Sequence, residues 1–158
     1  MIDKAILKGI SLFSDFTDAQ HQKLAEVFSE KKFQSGELMI PDRAENKEMM
    51  ILLQGKVAVE VSMSLSPSAE KMVVTMEDSP GRIIEWSSAI DTTQSGGTAG
   101  ARAVADTRVI IADGQRVLKL LEQDKDLGWK FMHKILLVIG SRLKDTRMQL
   151  VSMAAQCR

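Results

Sequence analysis

Apolar positions recur at helical spacing at both ends of this chain and alternate through its middle. Leu7, Ile10, Leu12 and Phe13 form a first apolar group. Leu24, Val27 and Phe28 recur at helical steps after Thr17, and Gln20 three residues beyond Thr17 completes a capping signal. This pattern predicts helix over residues 3–31. From Lys32 the period changes. Phe33, a Ser35-Gly36-Glu37 turn, then Leu38 and Ile40 read as strand, turn and strand; Pro41 to Asn46 is a polar loop. Met49 to Leu53 is a dense apolar strand, and Gln54-Gly55 turns into the alternating Val57, Val59 and Val61 in the manner of a hairpin. After an exposed loop containing Pro67, Met72, Val74 and Met76 alternate again, and Arg102 to Ala112 supplies one or two further strands. Short strands punctuated by turns, with no helices between them, indicate an antiparallel roll or barrel rather than a βαβ sheet.

The helical period returns after Asp113-Gly114, a turn or N-cap. Val117, Leu118 and Leu121 share a short helix, Gln123 to Asp126 breaks it, and a long helix runs from about Leu127. On it Trp129, Met132, Leu136, Ile139, Leu143 and Leu150 fall at three- and four-residue steps, with Thr146 in the missing place, a heptad-like seam. Phe131, Ile135 and Val138 form a second apolar face. One face is expected to cover the roll and the other to meet a second copy, giving a homodimer. The predicted fold class is mainly β with flanking helices: an antiparallel β-roll (double-stranded β-helix or jelly roll) with N-terminal helices and a long C-terminal helix. One domain is expected over 1–158, with helices at 1–31, the roll at 32–112 and the C-terminal helices at 115–158.

Charge and composition narrow the function. Lys+Arg and Asp+Glu are both 21, so the chain is formally neutral and broad attraction to nucleic acid or an anionic membrane is not expected. The single cysteine, Cys157, has no partner for a disulfide or for nucleophilic work. Neither a secretory leader nor a membrane-length apolar run is visible, and the chain reads as cytoplasmic. Ten methionines at element-like spacing read as core filler. His21 reads as a surface residue. A metal-binding cupin is disfavoured because His21 and His133 both fall on predicted helices. Neither a P-loop nor a Gly-x-Gly-x-x-Gly occurs.

The stretch Pro80 to Asp106 carries the remaining chemistry. A Pro-Gly turn leads into Ile83-Ile84-Glu85-Trp86, then Ser87 to Ile90 is long enough for one helical turn, and Gln94 to Gly100 has almost no side-chain bulk. With Leu12-Phe13-Ser14, Gly36-Glu37-x-x-Ile40, Ile51-Leu52-Leu53-Gln54-Gly55-Lys56-Val57, Pro80-Gly81 and Arg142-Leu143, the chain resembles the cyclic nucleotide-binding domain family over nearly its whole length. That family includes the effector domain of the bacterial catabolite activator and the regulatory subunits of cyclic-AMP-dependent kinase.

The resemblance implies that this stretch is the phosphate-binding cassette. In the family a Gly-Glu turn opens a short helix whose N–H groups face the cyclic phosphate, Glu accepts from the ribose hydroxyl, and a downstream Arg before Ser/Thr-Ala pairs with the phosphate. Here, counting from Gly81 and back from Ala99, the family Gly falls on Glu85, its Glu on Trp86 and its Arg on Gly97; a one-residue shift puts the family Glu on Glu85 and its Gly on Ile84, and neither register restores the motif. Trp86-Ser87-Ser88 resembles stand-alone bacterial members with Gly-Trp-Ser at this place. The candidate ligand-binding residues are Gly81, Arg82, Ile84, Glu85, Trp86, Ser87, Ser88, Gly97, Thr98, Ala99, Arg102 and Thr146. Glu85 could hold a ribose hydroxyl, but it is expected to repel a phosphate or to serve the structure. Arg102 is expected on an outward strand face, and Arg82 is the other candidate cation. Trp86 either stacks on a base or fills the pocket; Thr146 either contacts the base or is a polar position of the seam.

The expected function is a stand-alone regulatory or sensor module with a degenerate cassette, signalling through an unknown protein partner. The alternatives are a ligand-free dimeric scaffold of the same fold and, third, a cupin-like metal enzyme. No cofactor or catalytic residue is expected, and cyclic nucleotide binding is expected to be weak or absent. Catabolite-activator relatives carry a helix-turn-helix domain after the long helix, whereas this sequence ends at Arg158, so direct nucleic-acid binding is not expected.

Overall fold

The computed structural model describes residues 1–64, 66, 69–90, 97 and 99–156. Three helical segments open the chain: α1 (Lys4–Lys8), a 3₁₀ turn at Ser11–Phe13, and α2 (Asp18–Val27). α2 starts at the predicted capping box, where Thr17 accepts from the Gln20 N–H and the Gln20 side chain accepts from the Thr17 N–H. The strands that follow are β1 (Ser29–Phe33), β2 (Leu38–Ile40), β3 (Glu48–Gln54), β4 (Val57–Ser62), β5 (Lys71–Glu77), β6 (Ile83–Glu85), β7 (Gly100–Ala103) and β8 (Thr107–Asp113). α3 (Gly114–Gln123) and α4 (Lys125–Gln156) close the chain, and Asp113 caps α3 by accepting from the Arg116 N–H.

The strands form two antiparallel four-stranded sheets, ordered β1-β8-β3-β6 and β2-β7-β4-β5. This is the predicted roll between N-terminal helices and a long C-terminal helix. Alternation along β3 explains why that strand is apolar throughout. Met49 and Ile51 face the helices and join Phe13, Phe28 and Phe131, whereas Met50 and Leu52 face the roll interior and join Ile84, Ala101, Ala103 and Val109. β3 is thus buried on both faces and lies between two cores.

Long-range pairing overrides the local pattern in two places, and one residue departs from its expected exposure. The helix expected to reach residue 31 stops at Val27, because β1 starts at Ser29 and pairs with β8, Ser29 opposite Ile111 and Phe33 opposite Thr107. The hairpin expected at Gln54-Gly55 is instead a corner between sheets: β3 pairs with β6 and β8, whereas β4 pairs with β5 and β7. Gly55 makes the corner at φ 109°, where a Cβ would lie 2.5 Å from Thr107 Oγ1 and 2.7 Å from the Asp106 carbonyl oxygen. His21, expected at the surface, is buried: Nδ1 lies 2.9 Å from the Thr17 carbonyl oxygen and Nε2 3.0 Å from that of Phe13. The methionines are also not mainly core filler. Met39, Met49 and Met50 are buried, but Met1, Met63, Met72, Met76, Met148 and Met153 are exposed. Met72 and Met76 are exposed because β5 is an edge strand with little covering either face.

α4 docks through Leu127, Phe131 and Ile135, with Met132, Val138 and Ile139 packed beside them against the helix-side core. The predicted seam therefore splits. Met132 and Ile139 turn towards the core, while Trp129, Leu136, Leu143 and Leu150, spaced by seven, are each at least half exposed. Among the described residues no helix is long and apolar enough to cross a membrane.

The loop after β2 is pinned by charge. The Asp42 carboxylate accepts from the Ser62 hydroxyl and, at 2.9 Å, from Lys71, which hold its pKa down to about 2. A depressed carboxylate stabilises the fold above its unfolded pKa of roughly 3.9 and loses that contribution as pH falls towards 2. Urea unfolding of the protein and of Asp42→Asn should accordingly differ at neutral pH and converge between about pH 4 and pH 2. A difference independent of pH across that window would assign the effect to something other than this ion pair.

Candidate functional site

The turn before β6 is clamped to β3: the Gly81 N–H donates to the Leu52 carbonyl and the Leu52 N–H donates to the Arg82 carbonyl, both at 2.8 Å. From this fixed start Ile83 points to the helix-side core and Ile84 into the roll. Trp86 then leaves the strand conformation and opens a 3₁₀ turn at Ser87–Ala89, the predicted single helical turn. Its indole is half-buried and packs on the helix-side core. The turn sits hard against the start of α3, where a Cβ on Gly114 would lie 2.0 Å from the Ser88 carbonyl oxygen. Only a glycine permits that approach.

Glu85 is the centre of this turn. One carboxylate oxygen accepts from the Ser87 N–H at 2.7 Å and from the Ser87 hydroxyl. The other accepts from the Ser88 hydroxyl at 2.9 Å and its N–H at 3.4 Å. The free N–H groups at the start of the turn therefore already face an anion, one from the chain itself. An acid two and three residues before a Ser-Ser pair is a local capping pattern and was legible in the sequence.

The candidate cations lie elsewhere. Arg82 Nε donates to Glu77 at 2.8 Å, and Arg142 of α4 reaches the same carboxylate at 3.5 Å while donating to the Ile83 carbonyl. Hydrogen bonding to Glu77 raises the pKa of Arg82. Burial lowers that of Arg142, opposed by Glu77's charge and reinforced by that of Arg82. Glu77 is 4% exposed and carries both guanidinium groups, yet nothing in the local sequence marked it. Arg102 faces out of the second sheet, donating to the Gly36 carbonyl at 2.9 Å and approaching Glu60 at 3.4 Å.

The other candidates are dispersed. Gly97 is exposed and pairs through its backbone with Arg43 and Ala44, in the predicted polar loop at Pro41 to Asn46, to which the sequence assigned no function. Arg43 adopts φ 58° and donates its guanidinium to the Ser64 carbonyl at 2.6 Å. Ala99 is half-buried, and Thr98 and Cys157 lie outside the described residues. Thr146 is exposed and donates to the Arg142 carbonyl one turn back. The structure thus brings Glu85, Trp86, Ser87 and Ser88 together and Arg82 onto Glu77, and it places Arg102 and Thr146 on outward surfaces. His133 is on α4, stacked on Trp129, and His21 is on α2, so neither histidine is on a strand.

No protein-family model and no curated protein matches this sequence. Solved structures do. A candidate cyclic nucleotide-binding protein from Geobacter metallireducens GS-15 matches at 27% identity and TM-score 0.71, covering 90% of this chain and 99% of that one. A cyclic nucleotide-binding domain from Methylobacillus flagellatus KT matches at 19% identity and TM-score 0.77 over 94% and 80%. The catabolite activator protein of Thermus thermophilus matches at 16% identity and TM-score 0.71; 90% of this chain is covered, but it spans only 62% of that protein.

Proposed function

We propose that this chain, which has the fold of the cyclic nucleotide-binding domains, is a regulatory sensor module whose phosphate-binding cassette is closed by its own Glu85. It works in the cytoplasm, catalyses no reaction, and passes its state through α4 to another protein. The observation that carries this reading is the Glu85 carboxylate seated on the N–H groups of Ser87 and Ser88. A cyclic phosphate brought to the same groups would lie near a like charge, with a repulsion on the order of 4 kcal/mol at 4 Å and an effective dielectric of 20. Gly97 supplies no guanidinium in compensation, a loss of about 1.5–3 kcal/mol, or roughly ten- to a hundredfold in affinity.

Titration calorimetry with cyclic AMP and cyclic GMP is therefore expected to show weak or no binding. A dissociation constant in the low micromolar range or tighter would overturn the closed-cassette reading. The converse test is the double change Glu85→Gly, Gly97→Arg. Among the described residues, a Cβ at Gly97 comes within 4 Å only of the Ala99 carbonyl oxygen, at 3.6 Å, an ordinary van der Waals contact. Measurable nucleotide binding should appear, and failure to appear would place the obstruction at Trp86.

The same reading includes a two-fold homodimer through α4. Trp129, Leu136, Leu143 and Leu150 leave a continuous apolar row in water, which is unfavourable unless a partner covers it. Sedimentation at micromolar concentration should give a dimer, and Leu136→Glu should give a monomer with an unchanged fold. Ile139→Glu is the less informative variant, because Ile139 packs on the core and its loss would disturb folding as well as assembly.

A further inference from the structure

A cavity of about 260 Å³ lies between α4, the 3₁₀ turn at Ser11–Phe13 and the turn at Pro80–Ile83. It is separate from the Glu85 turn and from the interior of the roll. Among the described residues that line it, Arg82, Lys134 and Arg142 are cationic and none is acidic. The neighbouring acids offset this charge only in part. Lys134 is 3.1 Å from Asp15, but Arg82 and Arg142 share the single carboxylate of Glu77. The like charge of Arg82 and the burial of Arg142 both disfavour the Arg142 cation, so an anion placed between the two guanidinium groups would be stabilised by both. Asp145 and Glu85 also act on these arginines, but only through longer-range attraction, and the Glu85 oxygens are already taken by Ser87 and Ser88.

Apart from Ser11 the rest of the wall is apolar, chiefly Leu12, Leu137 and Val138, with Leu137 left 60% exposed beside the charges. A purely inorganic anion would leave that wall in water. The volume is below the roughly 300–1,000 Å³ of pockets for drug-sized ligands, so the occupant is small. We infer that this cavity binds a small amphipathic organic anion of the medium-chain carboxylate class, with its head group on Arg82 and Arg142 and its chain along Leu12, Leu137 and Val138. Such a ligand would bridge α4 to the turn that leads into Glu85.

The test is calorimetric titration of the full chain with octanoate, alongside inorganic phosphate and octanol. Octanoate should saturate one site per chain, and both controls should bind at least about tenfold more weakly, since each offers only half of the contacts. Arg82→Gln and Leu137→Glu should each weaken octanoate about tenfold, while Leu136→Glu, on the outward row, should leave it unchanged. Leu137 is largely exposed, so its variant remains informative even if loss of Arg82 disturbs the fold. Glu85→Gly, Gly97→Arg should not weaken octanoate binding, because it removes only a longer-range competing charge, and this separates the site from the cassette. The inference is overturned if octanoate does not saturate, if phosphate or octanol binds as tightly, or if binding is lost in Leu136→Glu but kept in Leu137→Glu.

Discussion

Phe131→Ala should lower the unfolding free energy by about 3–5 kcal/mol, the range for a fully buried phenylalanine whose cavity does not collapse. Phe131 is 1% exposed and stacks on Phe13, with ring centroids 6.2 Å apart and planes 24° from parallel. Phe13 in turn meets Phe16 and Phe28 at 5.5 and 6.1 Å, so the aromatic cluster joins α4 to the N-terminal helices over the outer face of the first sheet. Collapse is hindered because β3 and β8 form a rigid floor beneath it. Equilibrium urea unfolding measures the effect. A cost below about 1 kcal/mol would mean that α4 is not held to the domain through this side chain. Hydrogen exchange should show the loss concentrated in α4, whose remaining buried anchors are Leu127 and Ile135.

Glu77→Ala is expected to cost about 2–3 kcal/mol. Removing one partner of a fully buried ion pair typically costs about 3–5 kcal/mol. The value is smaller here because the guanidinium groups left behind keep 49% and 30% of their side-chain exposure. The cost arises mainly at Arg142, which would lose this carboxylate and keep the Ile83 carbonyl and the longer-range attraction of Glu85 while Arg82 repels it. A second variant separates this cause from simple loss of packing. Glu77→Leu combined with Arg142→Met removes the carboxylate and the more buried guanidinium while keeping the volume, and leaves only the half-exposed Arg82 without its partner, so it should be more stable than Glu77→Ala alone. If the double variant is the less stable of the two, the network contributes more than charge neutralisation.

Local sequence carried the roll's outline because each element's signal is local. The Thr17–Gln20 box, the period-two strands, the Asp113 cap and the apolar stripe of α4 each need only a few neighbouring residues to be read. The Glu85-Ser87-Ser88 turn is of the same kind, since a carboxylate reaches N–H groups only two and three residues ahead. What the chain does at Gly55 and Ser29 depends on groups far along it, whereas His21 is held by carbonyls only four and eight residues back. β4 leaves β3 because β7 and β5 are there to receive it, and β1 displaces the end of a helix because β8 offers a ladder. His21 is buried because the Phe13 carbonyl lies within reach of its ring. The charge network shows the limit most clearly. Glu77 and Arg142 are separated by three strands, a 3₁₀ turn, α3 and the first half of α4, and no periodicity relates them to each other or to Arg82. Their meeting is set by how α4 packs across the roll, and with it the cationic cavity, because electrostatic pairing depends on distance in space while a sequence pattern records only distance along the chain.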